Sequence, residues 1–322
     1  MNMLISTAHA IPAPEAAPTM SISPLRLPAP NRGAPLELRI TAPMTGDNLP
    51  IILLSHGHGP SLYIPSKDGY APLVNFYAER GFAVIQPTHG NSKVAGLGAH
   101  APGAPFFWRS RVEDFTLILD ELDVIEAMAP ALAGRLDRTK VAAVGHSLGG
   151  QTVGLLLGAG LTDTAEETPV TIRMLEPRVK VGVLLAAPGN GGDSLSDYAR
   201  THYTSLNPDY STLTTRTLVV IGDEDGSPHL THRGPSWHAD AFHGAAGAEA
   251  LLTLHGGKHG LGGIAGYDAK ETDDEDPDRL AATQRLTWAY LRSALYDADP
   301  AWTEARAALA SSAATLGHVD LK

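Results

Sequence analysis

The sequence predicts an α/β fold with a mostly parallel central sheet and helices on both faces. Three observations carry that prediction: short apolar runs recur along the chain, segments with apolar residues three and four apart lie between them, and the two kinds alternate. A strand buried on both faces reads as a continuous apolar run, which is how the short segments read here.

From Ile11 to Pro35 prolines recur through Ala- and Ser-rich sequence, so residues 1–34 are expected to form a flexible arm with an edge strand around Ser21–Leu27. Residues 35–322 are expected to form one α/β domain. Leu36–Thr41 alternates like a strand, and Ile51–Ser55 is a short apolar run. Tyr70–Arg80 then places Leu73, Phe76 and Tyr77 at helical spacing before Gly81 closes it and Phe82–Gln86 returns to a strand. The pattern repeats. Arg109–Met128 carries Val112, Phe115, Ile118, Leu119, Leu122 and Ile125 on one helical face, and Lys140–Gly145 and Gln151–Gly158 follow as strand and helix. Further strands are expected at Val179–Ala186, Thr217–Ile221 and Ala250–Leu254, and a late helix over Leu280–Ala294. No internal repeat is found.

Composition narrows the chemistry. Of the 322 residues 43% are hydrophobic and 18% charged, which is globular and too apolar for a disordered chain. A net charge of −11 argues against nucleic acid as partner, because phosphates need a basic face. The absence of cysteine excludes disulfides, thiolate metal sites and thiol nucleophiles. No run approaches the roughly 18 apolar residues of a spanning helix, so no transmembrane segment is expected. Met1–Ala10 has small residues around His9 but no basic start and too short an apolar stretch for a signal peptide, so a cytoplasmic location is the expectation. Between Glu271 and Asp278 lie six carboxylates; the stretch reads as a solvated loop at the positive end of the following helix. A calcium site is the sharper alternative, against which stands the absence of EF-hand glycine and spacing.

One motif carries reactive chemistry. Val141-Ala142-Ala143-Val144-Gly145-His146-Ser147-Leu148-Gly149-Gly150 is a strand running into G-x-S-x-G and then into a helix. With 33 glycines in the chain the five-residue pattern is weak by itself, and a glycine-rich turn with an incidental serine would also produce it. Its strand-to-helix context decides for a nucleophile elbow, where glycines allow a tight, strained turn and the serine sits at a helix N-terminus that favours developing negative charge.

A serine hydroxyl needs a base, and the base a carboxylate to orient it. Two later strand ends offer them: Thr217–Ile221 leads into Gly222-Asp223-Glu224-Asp225-Gly226, and Ala250–Leu254 into His255-Gly256-Gly257-Lys258-His259-Gly260. His259 is preferred over His255 because it lies in the loop, from which a ring can swing over Ser147. Asp223, Glu224 and Asp225 compete as the acid, with Asp193 more distant. Stabilising an oxyanion takes two backbone N–H donors. Leu148, directly after the serine, is one candidate; His58, in the His56-Gly57-His58-Gly59-Pro60 loop after Ile51–Ser55, is the other. His56 and His58 could alternatively begin a metal site, but no third ligand stands at a recognisable spacing, so no metal is expected. Tyr63, Phe107, Trp108, His146 and Trp237 are candidates for the substrate pocket, with Phe106 and His238 beside them; aromatic residues in loops are as often simple packing. Arg109, Arg111 and Asp114 open a helix, where an ion-pair role is expected.

On Ser55-His56-Gly57-His58-Gly59, Gly145-His146-Ser147-Leu148-Gly149, Gly222–Asp225 and Lys258-His259-Gly260, the chain resembles the α/β-hydrolase superfamily. Within it, the chain looks like the bacterial serine esterase branch allied to platelet-activating-factor acetylhydrolases, chlorophyllases and dienelactone-hydrolase-like proteins, over about Leu49 to Leu295. The resemblance implies the chain order serine, acid, histidine, and it selects Asp225, since such proteins carry the acid three residues after a strand-end glycine; Asp223 is the second choice. It implies a cofactor-free, two-step acyl-enzyme mechanism on a small or polymeric ester, with Leu148 and His58 as oxyanion donors. Amide, lactone or polyester cleavage would use the same residues, and a silent scaffold used for binding is the rival from another class. Dienelactone hydrolases use a cysteine that this chain lacks, so their substrate is not implied. Only about 30 residues separate Val179–Ala186 from Thr217, room for a small cap.

Overall fold

The computed structural model describes residues 5–98, 100–165, 167–266 and 273–322. The strands are β1 (Thr19–Leu27), β2 (Leu36–Pro43), β3 (Leu49–Ser55), β4 (Ala83–Pro87), β5 (Leu136–His146), β6 (Gly160–Thr162), β7 (Thr171–Arg173), β8 (Val179–Leu185), β9 (Pro208–Asp209), β10 (Arg216–Gly222), β11 (Ala248–Leu254) and β12 (Gly317–Leu321). The helices are α1 (Ala71–Glu79), α2 (Trp108–Asp120), α3 (Leu122–Met128), α4 (Leu148–Leu156), α5 (Asp197–His202), α6 (Asp240–Gly244), α7 (Pro277–Leu295) and α8 (Ala301–Ser312). Nine strands form one sheet in the order β1-β2-β4-β3-β5-β8-β10-β11-β12. The five pairs from β4 to β11 are parallel, and those at the two edges are antiparallel. This is a mostly parallel mixed sheet with helices packed on it, consistent with α/β-hydrolase-like topology.

Period-two alternation divides each central strand between two cores. Ile51 and Leu53 of β3, with Val141 and Ala143 of β5, face a core closed by α2, α3 and α4 through Phe115, Ile118, Ile125 and Leu156. Ile52, Leu54, Ala142 and Val144 face the opposite core, closed by α1, α7 and α8 through Leu73, Tyr77, Leu286 and Leu309. Every residue of β3 is therefore buried, which explains its unbroken apolar run.

Strand order also places the site. β3 lies between β4 and β5, so the chain turns one way from β3 and the other way after β4, and a crevice opens beyond the carboxyl ends of β3 and β5. The loops leaving those two ends are His56–Pro60 and the Ser147 turn.

Several features escaped the periodic reading. The expected long helix Arg109–Met128 is two, α2 and α3, meeting at Glu121. α8, β12 and the small antiparallel sheet β7-β6-β9 had no expected counterpart. Beyond residues 1–4, which lie outside the described residues, the proline-rich arm is packed. Ala8 and Ile11 are fully buried, and Asp278 accepts hydrogen bonds from the backbone N–H groups of Ser6, Thr7 and Ala8. Among the described residues no helix is long and apolar enough to cross a membrane.

Candidate active site

Ser147 joins β5 to α4 with φ 55° and ψ −123°, a conformation that strains a residue with a Cβ. Two contacts hold it there: its N–H donates to Leu185 O of β8 at 2.9 Å, and its carbonyl accepts from Gly150 N at 2.8 Å. The flanking glycines are required by space. A Cβ on Gly145 would lie 2.1 Å from Gly149 O, and one on Gly149 would lie 2.1 Å from Ser55 O.

Asp225 follows β10 and is 2% exposed; its Oδ2 is 2.9 Å from His259 Nδ1. His259, Asp225 and Ser147 all line one cavity of about 390 Å³, together with Leu148 and His58. Among the described residues no hydrogen bond joins the Ser147 hydroxyl to the His259 ring, and the two groups share only the cavity; free enzymes often hold such contacts loose until substrate arrives. Burial alone would lower the His259 imidazole, but the hydrogen bond and charge of Asp225, with Asp274 and Asp273 behind it, raise it above the ordinary histidine value. Burial works to raise the Asp225 carboxyl; the bond from His259 and the nearby imidazoles hold it below its ordinary value.

The other candidates fall elsewhere. Asp223 is exposed and its Oδ1 accepts from Gly256 N at 2.7 Å, which ties the acid loop to the histidine loop. Asp193 lies exposed in a short 3₁₀ turn. His255 is turned toward His318, 3.1 Å from its Nδ1.

Among the proposed pocket residues, none of Tyr63, Phe107, Trp108, His146 and Trp237 lines the cavity. Tyr63 is 48% exposed on a separate loop. Phe107 and Trp108 start α2 and are buried, Phe107 against Gly90 and Trp108 in the core below. Trp237 lies wholly beneath the cavity wall and donates Nε1–H to Asn190 O. The aromatic and aliphatic wall is instead Tyr203 and Leu206 from the small cap between β8 and β10, Phe106 from just before α2 and Leu230 from the segment after β10; Glu224 and Lys258 form part of a polar rim.

His146 is structural. The His259 carbonyl can only accept, so His146 Nε2 donates to it at 2.8 Å; Nδ1 then accepts from the Tyr70 hydroxyl at 2.8 Å, and that oxygen accepts from Gly57 N at 3.0 Å. Burial pushes the His146 imidazole down to about 3, so it stays neutral in this chain of bonds, which links the loop of Gly57 to that of His259.

A second buried network sets the loop of residues 56–60. Arg111, fully buried, donates to the His56 carbonyl, to Asn91 Oδ1, to Ser55 Oγ at 3.0 Å and to Thr152 Oγ1 at 2.8 Å. His56 Nε2 accepts from the His89 amide at 3.0 Å, so its Nδ1 carries the proton and donates to Gly57 O at 2.8 Å. Because a trans peptide sets C=O and N–H on opposite sides, holding the Gly57 carbonyl aims the His58 N–H the other way. Among the described residues no backbone carbonyl accepts from His58 N or Leu148 N. Asp114 pairs with Arg32 at 2.8 Å and with His89 Nδ1 at 2.8 Å, while His89 Nε2 is 3.0 Å from Ser55 Oγ. Ser55, His89 and Asp114 thus repeat a serine–histidine–acid chain, but they are buried, and Arg111 keeps the Ser55 oxygen occupied as an acceptor. Sequence reading missed Ser55, His89 and Asn91; the available signal was that Ser55 and His89 lie at or just past the carboxyl ends of apolar strands.

In the acidic stretch, Glu271 and Thr272 lie outside the described residues. Asp274 Oδ2 accepts from Lys258 N at 2.8 Å and Gly262 N at 3.3 Å, bracketing His259. Asp276 caps α7 through Arg279 N, and Asp278 holds the N-terminal arm. These carboxylates point at separate backbone donors and do not converge on a common centre.

No protein-family model matches this chain, and no curated protein is similar to it.

Proposed function

We propose that the chain is a serine hydrolase that cleaves a carboxylic ester through an acyl-enzyme, in keeping with its resemblance to the serine esterases of the α/β-hydrolase superfamily. The observation that carries this reading is the strained Ser147 sharing one cavity with His259, whose far nitrogen is bonded to the buried Asp225. Asp225 fixes the Nδ1–H tautomer of His259, so Nε2 is free to take the Ser147 proton as the oxygen attacks the carbonyl carbon. The N–H groups of Leu148 and His58 would hold the oxyanion, with the N-terminus of α4 adding its dipole. His259 returns the proton to the departing alcohol and then activates the water that releases the acid.

The apolar wall of Phe106, Leu148, Leu206 and Leu230 suits an acyl group, and the rim of Glu224 and Lys258 suits a polar alcohol. The test is hydrolysis of p-nitrophenyl acetate by the full chain and by Ser147→Ala, together with labelling by a fluorophosphonate. The parent is expected to turn over and to be labelled at Ser147, and the variant to do neither. Equal turnover by the variant would overturn the proposal.

A further inference from the structure

Asp225 carries a second imidazole that the mechanism above does not use. His238, in the 3₁₀ turn Pro235–Ala239, is 2% exposed. Its Nε2 lies 3.2 Å from Asp225 Oδ2, the oxygen that also faces His259 Nδ1. Its Nδ1 lies 2.7 Å from the Ala187 carbonyl oxygen. A carbonyl only accepts, so Nδ1 bears the proton, and the Nε2 of the neutral ring turns a lone pair toward a carboxylate. Among the described residues that nitrogen is buried without a hydrogen-bond partner. Two acceptors facing each other away from water form a place where a cation is missing.

We propose that Asp225, His238 and His259 form a binding site for a borderline divalent cation of the Zn²⁺ class, and that filling it shuts the triad off. The three donor atoms lie within 4.8 Å of one another. Zinc takes nitrogen and carboxylate ligands at about 2.0–2.2 Å, so tetrahedral neighbours stand roughly 3.4 Å apart, and the two shorter separations already approach that. Two imidazoles and one carboxylate suit zinc better than calcium or magnesium, which favour oxygen. The Ala187 carbonyl supplies the outer partner that a metal-binding imidazole ordinarily has for its other N–H. On binding, the His259 Nδ1–H bond breaks and its electron pair goes to the metal, while the proton is taken up, through solvent, at Nε2, so the ring stays neutral; nothing is oxidised or reduced. His259 then loses the Asp225 hydrogen bond, and its Nε2, now an N–H, cannot take the Ser147 proton. The inhibition rests on the proposed esterase reading; the binding does not.

The experiment titrates the full chain with ZnCl₂ by calorimetry, and with CoCl₂ as an optical probe, alongside ester turnover. His238→Asn retains a donor for Ala187 and deletes the nitrogen facing Asp225. A His255→Gln/His318→Gln double variant removes the surface histidine pair, the rival site for an adventitious ion. Parent and double variant are expected to bind one Zn²⁺ alike and to lose turnover in step with occupancy, with recovery on adding EDTA. His238→Asn should bind at least about 10–100-fold more weakly, the loss typical of removing even an outer partner. Should that variant not fold, Asp225→Asn makes the same test through the cobalt spectrum. Unchanged affinity in His238→Asn, or binding lost in the double variant, would overturn the site. A chain that turns over esters but ignores zinc sinks the site and leaves the esterase reading. One that binds zinc through His238 but never turns over sinks the esterase reading and leaves the site.

Discussion

In the proposed mechanism His259 serves as a base only when neutral, and its surroundings work against that. Asp225, Asp274 and Asp273 favour the imidazolium, so its proton is held to a higher pH than in an ordinary histidine. The sign follows directly: as pH falls the base is protonated first, so the acidic limb of kcat/KM should lie above about 6.5. Asp274→Asn preserves an acceptor for Lys258 N and Gly262 N but removes a charge. It should therefore move that limb to lower pH. A pH–rate profile on both proteins checks this, and a limb that stays in place or moves upward would refute the electrostatic account. Arg111 is a positioning residue of a different kind, because it holds the His56 carbonyl, one peptide before the His58 amide proposed as an oxyanion donor, and touches no part of the cavity. Asn91→Ala, a gentler cut in the same network, loosens the Gly57 carbonyl from the Asn91 side. Both variants should lower kcat with little change in KM. For Arg111→Met the drop should approach the 10²–10³-fold typical of losing an oxyanion donor. A fall in folded fraction with normal kcat per folded molecule would make the network merely structural.

Two elements show how local pattern and packing meet. β5 and α4 come within van der Waals distance at Gly145 and Gly149, and that closeness lifts Ser147 to the edge of the crevice. The helix that follows is short, with Gln151 and Thr152 its only polar side chains, and its residues are all buried, so tertiary packing rather than helix propensity holds it in place. α2 performs two tasks on two faces: Phe115 and Ile118 close the core, while Arg111 and Asp114 reach the polar network under the loop of residues 56–60. The ion-pair role expected at the start of this helix holds for Asp114, which pairs with Arg32 from the connection between β1 and β2.

Across the molecule, the sheet separates two apolar cores that share strands but no facing side chains. Leu53 of β3 points into one core and Leu286 of α7 lies in the other. Leu53→Ala and Leu286→Ala should each destabilise the chain by about 2–5 kcal/mol through lost burial and a residual cavity. Because they share no contact, the double variant should be the sum of the two within about 0.5 kcal/mol. Urea unfolding of all four proteins tests this; a coupling well beyond that figure would mean the cores communicate through the sheet.

Period and punctuation along the chain are local properties, so every strand of the large sheet but β12, most helices, the strand-to-helix turn at Ser147 and the order of Ser147, Asp225 and His259 were legible before any coordinates. Alternating apolar side chains encode which faces are buried, and glycines mark where backbones must touch. The pocket wall of Tyr203, Leu206 and Leu230, the His238 contact with Asp225 and the Ser55–His89–Asp114 chain were not legible. Each depends on which strand ends lie side by side, and strand order is set by crossovers between residues far apart in sequence. Loop aromatics carry no period that distinguishes wall from filler, which is why Trp108 and Trp237, chosen for the pocket, lie buried outside it, and why only the tertiary structure could assign them.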